Sequence, residues 1–492
     1  MGFRTYFYNL KIFLFLIFVL SFCGCKAQTL WQNRILPDPA PVLPDSFSLS
    51  GSEFVSQKFW EDFSDPQLDL LVEQALKENF SLKAAWDRLD QAQALAEKTG
   101  AGAKPSFSLS GETYRSFAYD HDPVSGNKRT YTSNFSLGLA ASYELDLWNR
   151  VSSSARAAEM DLYGKEHDLR TAAITLASEV AETWYALVNN KLQTDLIREQ
   201  IATDQEYLKA LQLRKQLRSG TEIEDLLRQK QALESKRSDL LTLVKQGEIL
   251  RHSLALLLGK TPRSLPELKP DRMPGLRPMP DTGLPAELIR RRPDVMSYEF
   301  SLAGAHQRLR SALADRFPKI SFSPLVSSGS SQISDLFSDW LVKLSADLLQ
   351  PLFDGGSRKA EVKRNLALTK EAFHNYSQAV LSAVSEVETA LVNEVSQNDI
   401  TASIQKQLDL SRKVEEQTLH RYRNGASDYL RVLEARSLRQ ALEGKYLTAQ
   451  KQKISFRISL YRALAGGWTM EKEDLSLSGR EKIIYEYLDK YE

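Results

Sequence analysis

The sequence predicts a mainly helical protein with a membrane β-barrel part, built from one unit used twice. Three observations predict it. The same order of helical and alternating segments occurs in both halves, the alternating segments have one apolar and one small or polar side, and the longest helical segments carry apolar residues three and four apart. The expected organisation is a signal peptide over 1–24, an extended segment over 25–58, a first structural repeat over 59–265, a second over 266–467, and a polar C-terminal tail over 468–492.

The chain of 492 residues opens with Arg4 and Lys11 ahead of an apolar run from Ile12 to Leu20. About ten apolar residues are too few to cross a hydrocarbon core of about 30 Å as a helix, and a basic start before such a run is the pattern of an export signal. It ends at LSFCGCKAQ, where Gly24 before Cys25 fits a lipoprotein cleavage site that leaves Cys25 as the acylated N-terminus. Cys23 and Cys25 are the only cysteines, so the processed chain has no disulfide. A net charge of +1 gives no basic excess of the kind that binds nucleic acid. After the signal no apolar run is long enough for a membrane helix, so any crossing must be made by strands.

The repeat is visible segment by segment. The stretch from Ala75 to Ser110 resembles that from Leu288 to Ser323, each a helical pattern that breaks at a proline, Pro105 or Pro318, and then alternates. YELDLWNRVSSSARAAE from Tyr143 matches LLQPLFDGGSRKAEVKR from Leu348, and the region from Arg214 matches that from Leu419, placing Gly220 over Gly425. Each unit reads helix, strand, strand, long helix, turn, helix.

The strands follow from period-two patterning. Phe135, Leu137, Leu139, Ala141, Tyr143, Leu145 and Leu147 form a greasy side, opposed by Asn134, Ser136, Gly138, Ala140, Ser142, Glu144 and Asp146. That suits a strand with lipid on one side and a wet lumen on the other, and makes Glu144, Asp146 and Asp347 candidate acids of the lumen. Trp340, Val342, Leu344, Ala346 and Leu348 repeat the pattern against Lys343, Ser345 and Asp347. Phe107–Tyr119 and Ile320–Val326 are the less regular partners, with Pro324 interrupting the second. The stretches Asp120–Thr132 and Ser327–Asp335 between them are polar and are expected to be exterior loops.

The helices follow from three–four spacing, which keeps one seam facing a neighbour. Ile174, Ala177, Ala181, Trp184 and Val188 show it, as do Phe373, Tyr376, Val380, Ala383, Val387 and Ala390. The segment from Val151 to Leu217 reaches about 100 Å at 1.5 Å per residue. The returning helix, near 222–258, and the helix before the strands, near 67–98, are about half as long or less, so two of them stacked end to end would match one long helix. Two repeats supply four strands, below the membrane-barrel minimum of about eight, and open edges in lipid cost several kcal/mol per unpaired backbone group. Copies must therefore share a barrel, with two giving eight strands and three giving twelve.

FWEDFSDPQLDLLVEQALKEN (Phe59–Asn79), ASYELDLWNRV (Ala141–Val151), LIRRRPDV (Leu288–Val295), FPKIS (Phe317–Ser321), PLFDGGSRKAEV (Pro351–Val362) and HRYRNGASDYLRVLEA (His420–Ala435) together resemble the outer-membrane efflux protein family. The specific likeness is to the lipoprotein branch of TolC-like outer-membrane factors of tripartite RND efflux systems. It runs from Phe59 to about Gly467, while Met470–Glu492 lies outside it. The resemblance implies long antiparallel helical hairpins forming an α-barrel, a homotrimer with one shared twelve-stranded barrel in the outer membrane, acylation at Cys25, a periplasmic membrane-fusion adaptor and an inner-membrane RND-type pump as partners, outer-membrane lipid around the barrel, and no cofactor. The alternatives are a type I secretion conduit or a non-channel, lipid-anchored coiled-coil spacer, which would have no use for the greasy strand side.

A conduit of this kind needs a gate. The turns at Gly220 and Gly425 are expected at the helical tip, with Glu222, Glu224 and Asp225 among Arg214, Arg218 and Arg228, and with Asp428 and Glu434 among Arg421, Arg423 and Arg431. The resemblance implies that Glu434 of VLEA faces the aperture, where threefold symmetry would gather three carboxylates and favour cations. Pairs drawn from Asp225, Asp428, Arg421 and Arg431 are expected to hold the end closed. One exposed pair contributes only about 0–1 kcal/mol, so several would act together. No enzyme motif competes: the six histidines make no HExxH pair, and GKT at Gly259–Thr261 lacks the first glycine of a phosphate loop, which leaves Gly259 as a helix C-cap.

Overall fold

The computed structural model describes residues 42–51, 58–122, 126–216, 223–265 and 268–464. The signal peptide, Cys25, the turn with Arg218, Gly220 and Glu222, and the tail over 468–492 lie outside the described residues.

The first half runs through a 3-10 turn (Phe59–Phe63), α1 (Pro66–Glu78), α2 (Phe80–Ala101), β1 (Ser106–Asp122), β2 (Gly126–Leu145), α3 (Arg150–Gln216) and α4 (Ile223–Leu257). The second runs through α5 (Pro285–Arg291), α6 (Pro293–Ala314), β3 (Lys319–Ser330), β4 (Trp340–Leu349), α7 (Ser357–Arg423) and α8 (Tyr429–Ala463). The helices match in length across the halves: α2 and α6 have 22 residues, α3 and α7 have 67, α4 and α8 have 35. None of the described helices is long and apolar enough to cross a membrane.

Two compact units form, and each draws on both halves of the sequence. The first comprises residues 88–166 and 297–379. It holds an antiparallel sheet in the order β1-β2-β3-β4. β1 and β2 reach 17 and 20 residues because the stretch expected as a loop, Asp120–Thr132, is mostly the outer stem of their hairpin. Likewise Ser327–Ser330 extends β3, and Ile333–Asp335 is a 3-10 turn. Pro324 does not end β3. The β2–β3 ladder runs Ala140↔Leu325 and then Tyr143↔Phe322 in one register, skipping the rungs at Pro324 and Ser323. Proline has no N–H to give, so the strand stays in line and its ladder has a gap.

The second unit comprises residues 43–87, 167–296 and 380–464 among those described. The three–four seams named above are its packing surfaces: Ala177, Ala181, Trp184 and Val188 on α3, and Val380, Ala383 and Val387 on α7, are buried. FWEDF supplies an aromatic plug. Phe59 meets Trp60 edge-on at 5.4 Å, and Phe63 lies 5.4 Å from Tyr185 and 6.0 Å from Tyr461. Asp65 caps α1 at the backbone N–H groups of Gln67 and Leu68 and also accepts the Trp184 indole N–H at 2.7 Å, so one carboxylate starts a helix and fixes the plug beside it.

The short helices are joined end to end at two matching joints. Asn79 donates its amide N–H to the Leu257 carbonyl at the end of α4 (2.9 Å) and accepts from Leu82 N–H at the start of α2 (3.0 Å). Gly259 permits the approach. It sits at φ +66, and a Cβ there would stand 2.6 Å from the Glu78 carbonyl oxygen. Lys260 N–H bonds the Ala255 carbonyl and Gly259 N–H that of Leu256, the pair of bonds of a Schellman cap. In the second half Arg292, immediately before α6, donates to the Ala463 carbonyl at the end of α8 (3.2 Å) and pairs with Asp294 and Glu386 (2.6 and 2.8 Å).

Candidate functional site

The register of the sheet assigns each strand residue to a side. Leu109↔Leu139↔Val326↔Val342 share one side, as do Phe107↔Ala141 and Tyr143↔Phe322↔Ala346. That side is apolar from Phe135 to Leu145 on β2 and from Trp340 to Leu348 on β4, and much of it is bare in the single chain: Phe107 is 73%, Leu109 72% and Leu344 79% exposed. The opposite side carries Ser106, Ser108, Ser110 and Glu112 on β1 and Lys343, Ser345 and Asp347 on β4. From Phe135 to Leu145 the strand rises about 33 Å, or about 25 Å along an axis tilted by about 40°, which is the height of the apolar band on a membrane barrel. β1 and β4 each have one neighbour, so both edges of the sheet are open among the described residues.

Of the three acids expected in the lumen, Glu144 and Asp347 lie on the polar side of the sheet, at rungs opposite Ser321. Asp146 corrects the expectation. It lies one residue past β2 and accepts from the backbone of Val151 (3.1 Å) and Ser152 (2.7 Å), capping α3 instead of lining the strand. Strand alternation continues to Asp146 in the sequence, but the chain has already begun its turn into the helix. Glu144 is held by Arg150 through two bonds of 3.0 and 2.7 Å.

This junction gathers motifs that are far apart in the sequence. Trp148 stacks on Phe317 at 4.9 Å and donates to the Pro318 carbonyl at 2.8 Å. Asp315 binds Lys319 (2.8 Å) and Arg358 (2.9 Å), and Asp354 caps α7 at Gly356 and Arg358 N–H. The left-handed backbone each turn needs falls on Asn149 (φ 57) in the first half and on Gly355 and Gly356 (φ 65 and 89) in the second, residue types that tolerate it.

At the other candidate region, the α7–α8 turn, Gly425 (φ 75) closes a Schellman cap through Ala426 N–H to the Arg421 carbonyl and Gly425 N–H to that of Tyr422. Asp428 caps α8 at Arg431 N–H (3.1 Å), and its carboxylate lies 4.0 Å from the Arg431 guanidinium with both side chains exposed. Arg421 and Glu434 are exposed, and Asp225 is half-buried. Glu434 has no ion-pair partner among the described residues.

The strongly paired charges of these helices lie farther from the turn, in a cluster that sequence reading missed. Asp204 on α3 pairs with Lys236 on α4, which also reaches Gln440 on α8. Arg436 on α8, 1% exposed, bonds Glu415 on α7 at 3.0 Å, stands 3.6 Å from Asp204, and lies 3.3 Å over the Tyr207 ring. Arg439 pairs with Glu415 and Glu443. Gln229 ties the cluster to Tyr429, whose hydroxyl donates to it at 2.9 Å and whose pKa burial pushes up to about 12. A usable signal existed: Asp204 falls in the three–four seam of Ile197, Ile201, Leu208 and Leu211, where an apolar residue is expected.

A sheet with one lipid-like side, open edges and long helical hairpins defines a channel-forming outer-membrane protein. The chain belongs to the outer membrane efflux protein family, which matches it over residues 71–260 and 284–466. It is 31% identical over 426 residues to the pyoverdine export outer membrane protein OpmQ of Pseudomonas aeruginosa, covering 85% of this chain and 89% of that one. It is 30% identical over 460 residues to the cation efflux system protein CusC of Escherichia coli, covering 90% and 98%. Among solved structures, the outer-membrane channel OprN superposes with a TM-score of 0.80 at 26% identity, covering 88% of this chain and 99% of that one.

Proposed function

We infer that this protein is the outer-membrane channel of a tripartite efflux system. It conducts small molecules passively from the periplasmic side to the exterior, with the energy supplied elsewhere. The observation that carries this is the two-sided sheet with both edges open, because only a closed barrel satisfies backbone groups in lipid. The spacer alternative leaves that sheet without a purpose, and no feature favours a secretion conduit over efflux.

Three copies closing a twelve-stranded barrel, acylation at Cys25, and docking to a periplasmic adaptor and an RND-type pump complete the proposal, and the family supports them. The protein works without catalysis, and its relatives are named for efflux and export. The relatives are named for unlike cargoes, pyoverdine, cations and toluene among them, so the proposal names small molecules and no narrower class. Gating at the tip by Glu434, Asp428, Asp225, Arg421 and Arg431, on turns at Gly220 and Gly425, is proposed from the exposure of Glu434 and the short α7–α8 turn. The test is planar-bilayer conductance of the purified protein, run beside its migration on gels with and without heating. A heat-modifiable trimer that conducts supports the channel, and a soluble single chain without ion leak overturns it. Glu434→Lys should change current or cation selectivity, and an unchanged channel removes Glu434 from the gate.

A further inference from the structure

Beyond Phe135 the β1–β2 hairpin continues without its neighbour. Phe135 faces Ser330, the last residue of β3, while β1 and β2 stay paired out to Asp122 and Gly126. The two sides of this extension are chemically unlike. On the side continuous with the apolar band, the register places Arg115, Phe117, Tyr119 and His121 on β1 against Ser133, Tyr131, Arg129 and Asn127 on β2. On the other side stands Asp120, opposite Lys128. No acid lies on the outward side among these described residues, so its two arginines are uncompensated there.

The outward side is also preassembled. Phe117 packs on Tyr131 with ring centres 5.1 Å apart, the Arg115 guanidinium lies 5.8 Å from the Tyr131 ring, and the three aromatics and both arginines are exposed. Arg115 sits two rungs beyond Phe135, where the band of about 25 Å ends. From Arg115 to the Tyr119–Arg129 rung is four residues, about 13 Å along the strand. That is the zone of lipid headgroups. Aromatic rings favour such an interface, and arginine forks match phosphate oxygens two at a time.

We propose that the outward face of the β1–β2 extension is a docking surface for phosphorylated glycolipid headgroups of the outer leaflet. The proposal rests on the reading that the apolar side of the sheet meets lipid, and it continues that side: the same face is greasy from Phe135 inward and cationic beyond it. An outer-leaflet headgroup that bears phosphate on a sugar offers both an anion for Arg115 and Arg129 and a flat, hydroxylated surface for the aromatic rings.

The test uses the full assembled protein in detergent with diphosphorylated lipid A as probe, retention being read by native mass spectrometry against phosphatidylglycerol and phosphatidylcholine. Wild type should retain lipid A several-fold over phosphatidylglycerol. Arg115→Gln with Arg129→Gln should abolish that preference, whereas Lys128→Gln on the other side should keep it. Equal retention by wild type and the double variant, the same loss in Lys128→Gln, or no preference over phosphatidylglycerol overturns the assignment. Conductance of the same preparations separates the two readings: a double variant that conducts like wild type but loses lipid A supports the proposal, and a wild type that does not conduct overturns the channel and the docking surface together.

Discussion

Asp69 shows how one side chain sets a pH dependence. One of its carboxylate oxygens is buried without a hydrogen-bond partner. Burial first, and then Glu61, Asp65 and Glu73, push its pKa up to about 6. A carboxyl whose pKa is raised on folding stabilises the fold while protonated, and that contribution is lost as pH rises from the unfolded value near 3.8 through 6. Asp69→Asn should therefore raise the melting temperature at pH 7.5 and leave it unchanged near pH 3, as read by thermal unfolding at the two pH values. Arg436 is the opposite case, a buried charge with partners. Arg436→Leu leaves Glu415 with Arg439 as its one cation and Asp204 with Lys236 as its one cation. It should lower the denaturation midpoint, by less than the ~3–5 kcal/mol that a fully unpaired buried charge costs. Glu434 and Asp428 stand out in the sequence because they lie in a recognisable motif, and their place in a gate is for the conductance assay to decide. Asp204, Glu415 and Arg436 do not stand out, because in helices this rich in charge a buried ion looks like any surface ion until the seam is traced through it.

At the scale of elements, the strands were legible where lipid imposes a contrast between their sides and illegible where it does not. β2 read clearly from Phe135 onward. Its outer stem, Gly126–Thr132, reads as loop because polar and charged residues crowd it and Tyr131 is its one large apolar side chain. The reading of Asp146 failed for a related reason, since a polar residue after a strand and a helix cap look alike in sequence. Helix lengths were legible from the lack of proline, with only isolated glycines such as Gly164 inside, but the joints at Asn79 and Arg292 needed the structure, because a side chain bonding the end of a distant helix leaves no local pattern. The contrast between strand sides makes a sharp prediction. Leu139→Arg, near mid-band on the apolar side, should cost about 2–4 kcal/mol and deplete assembled protein in the outer membrane. Ala140→Arg, on the other side, should leave assembly intact and change ion selectivity in the conductance assay.

For the whole molecule, the decisive feature is that the sheet is unfinished in one chain. Its apolar side, its four strands and both free edges follow from a repeat visible in the sequence, and the number of copies that closes it does not. In the proposed assembly the free edges of β1 and β4 are closed by strands of neighbouring copies. This gives the gene an inheritance pattern. A chain with a ruined β4 edge but sound helices still takes a seat among healthy siblings and leaves their enclosure unsealed. Co-expressed with wild type in equal dose, a Val342→Pro chain should lower the conductance recovered from outer membranes well below half, because most mixed assemblies contain at least one bad member, whereas a chain that never folds should cost only its own share. Conductance measured across a dosage series distinguishes the two, and dominance of that kind is what the proposed shared wall requires.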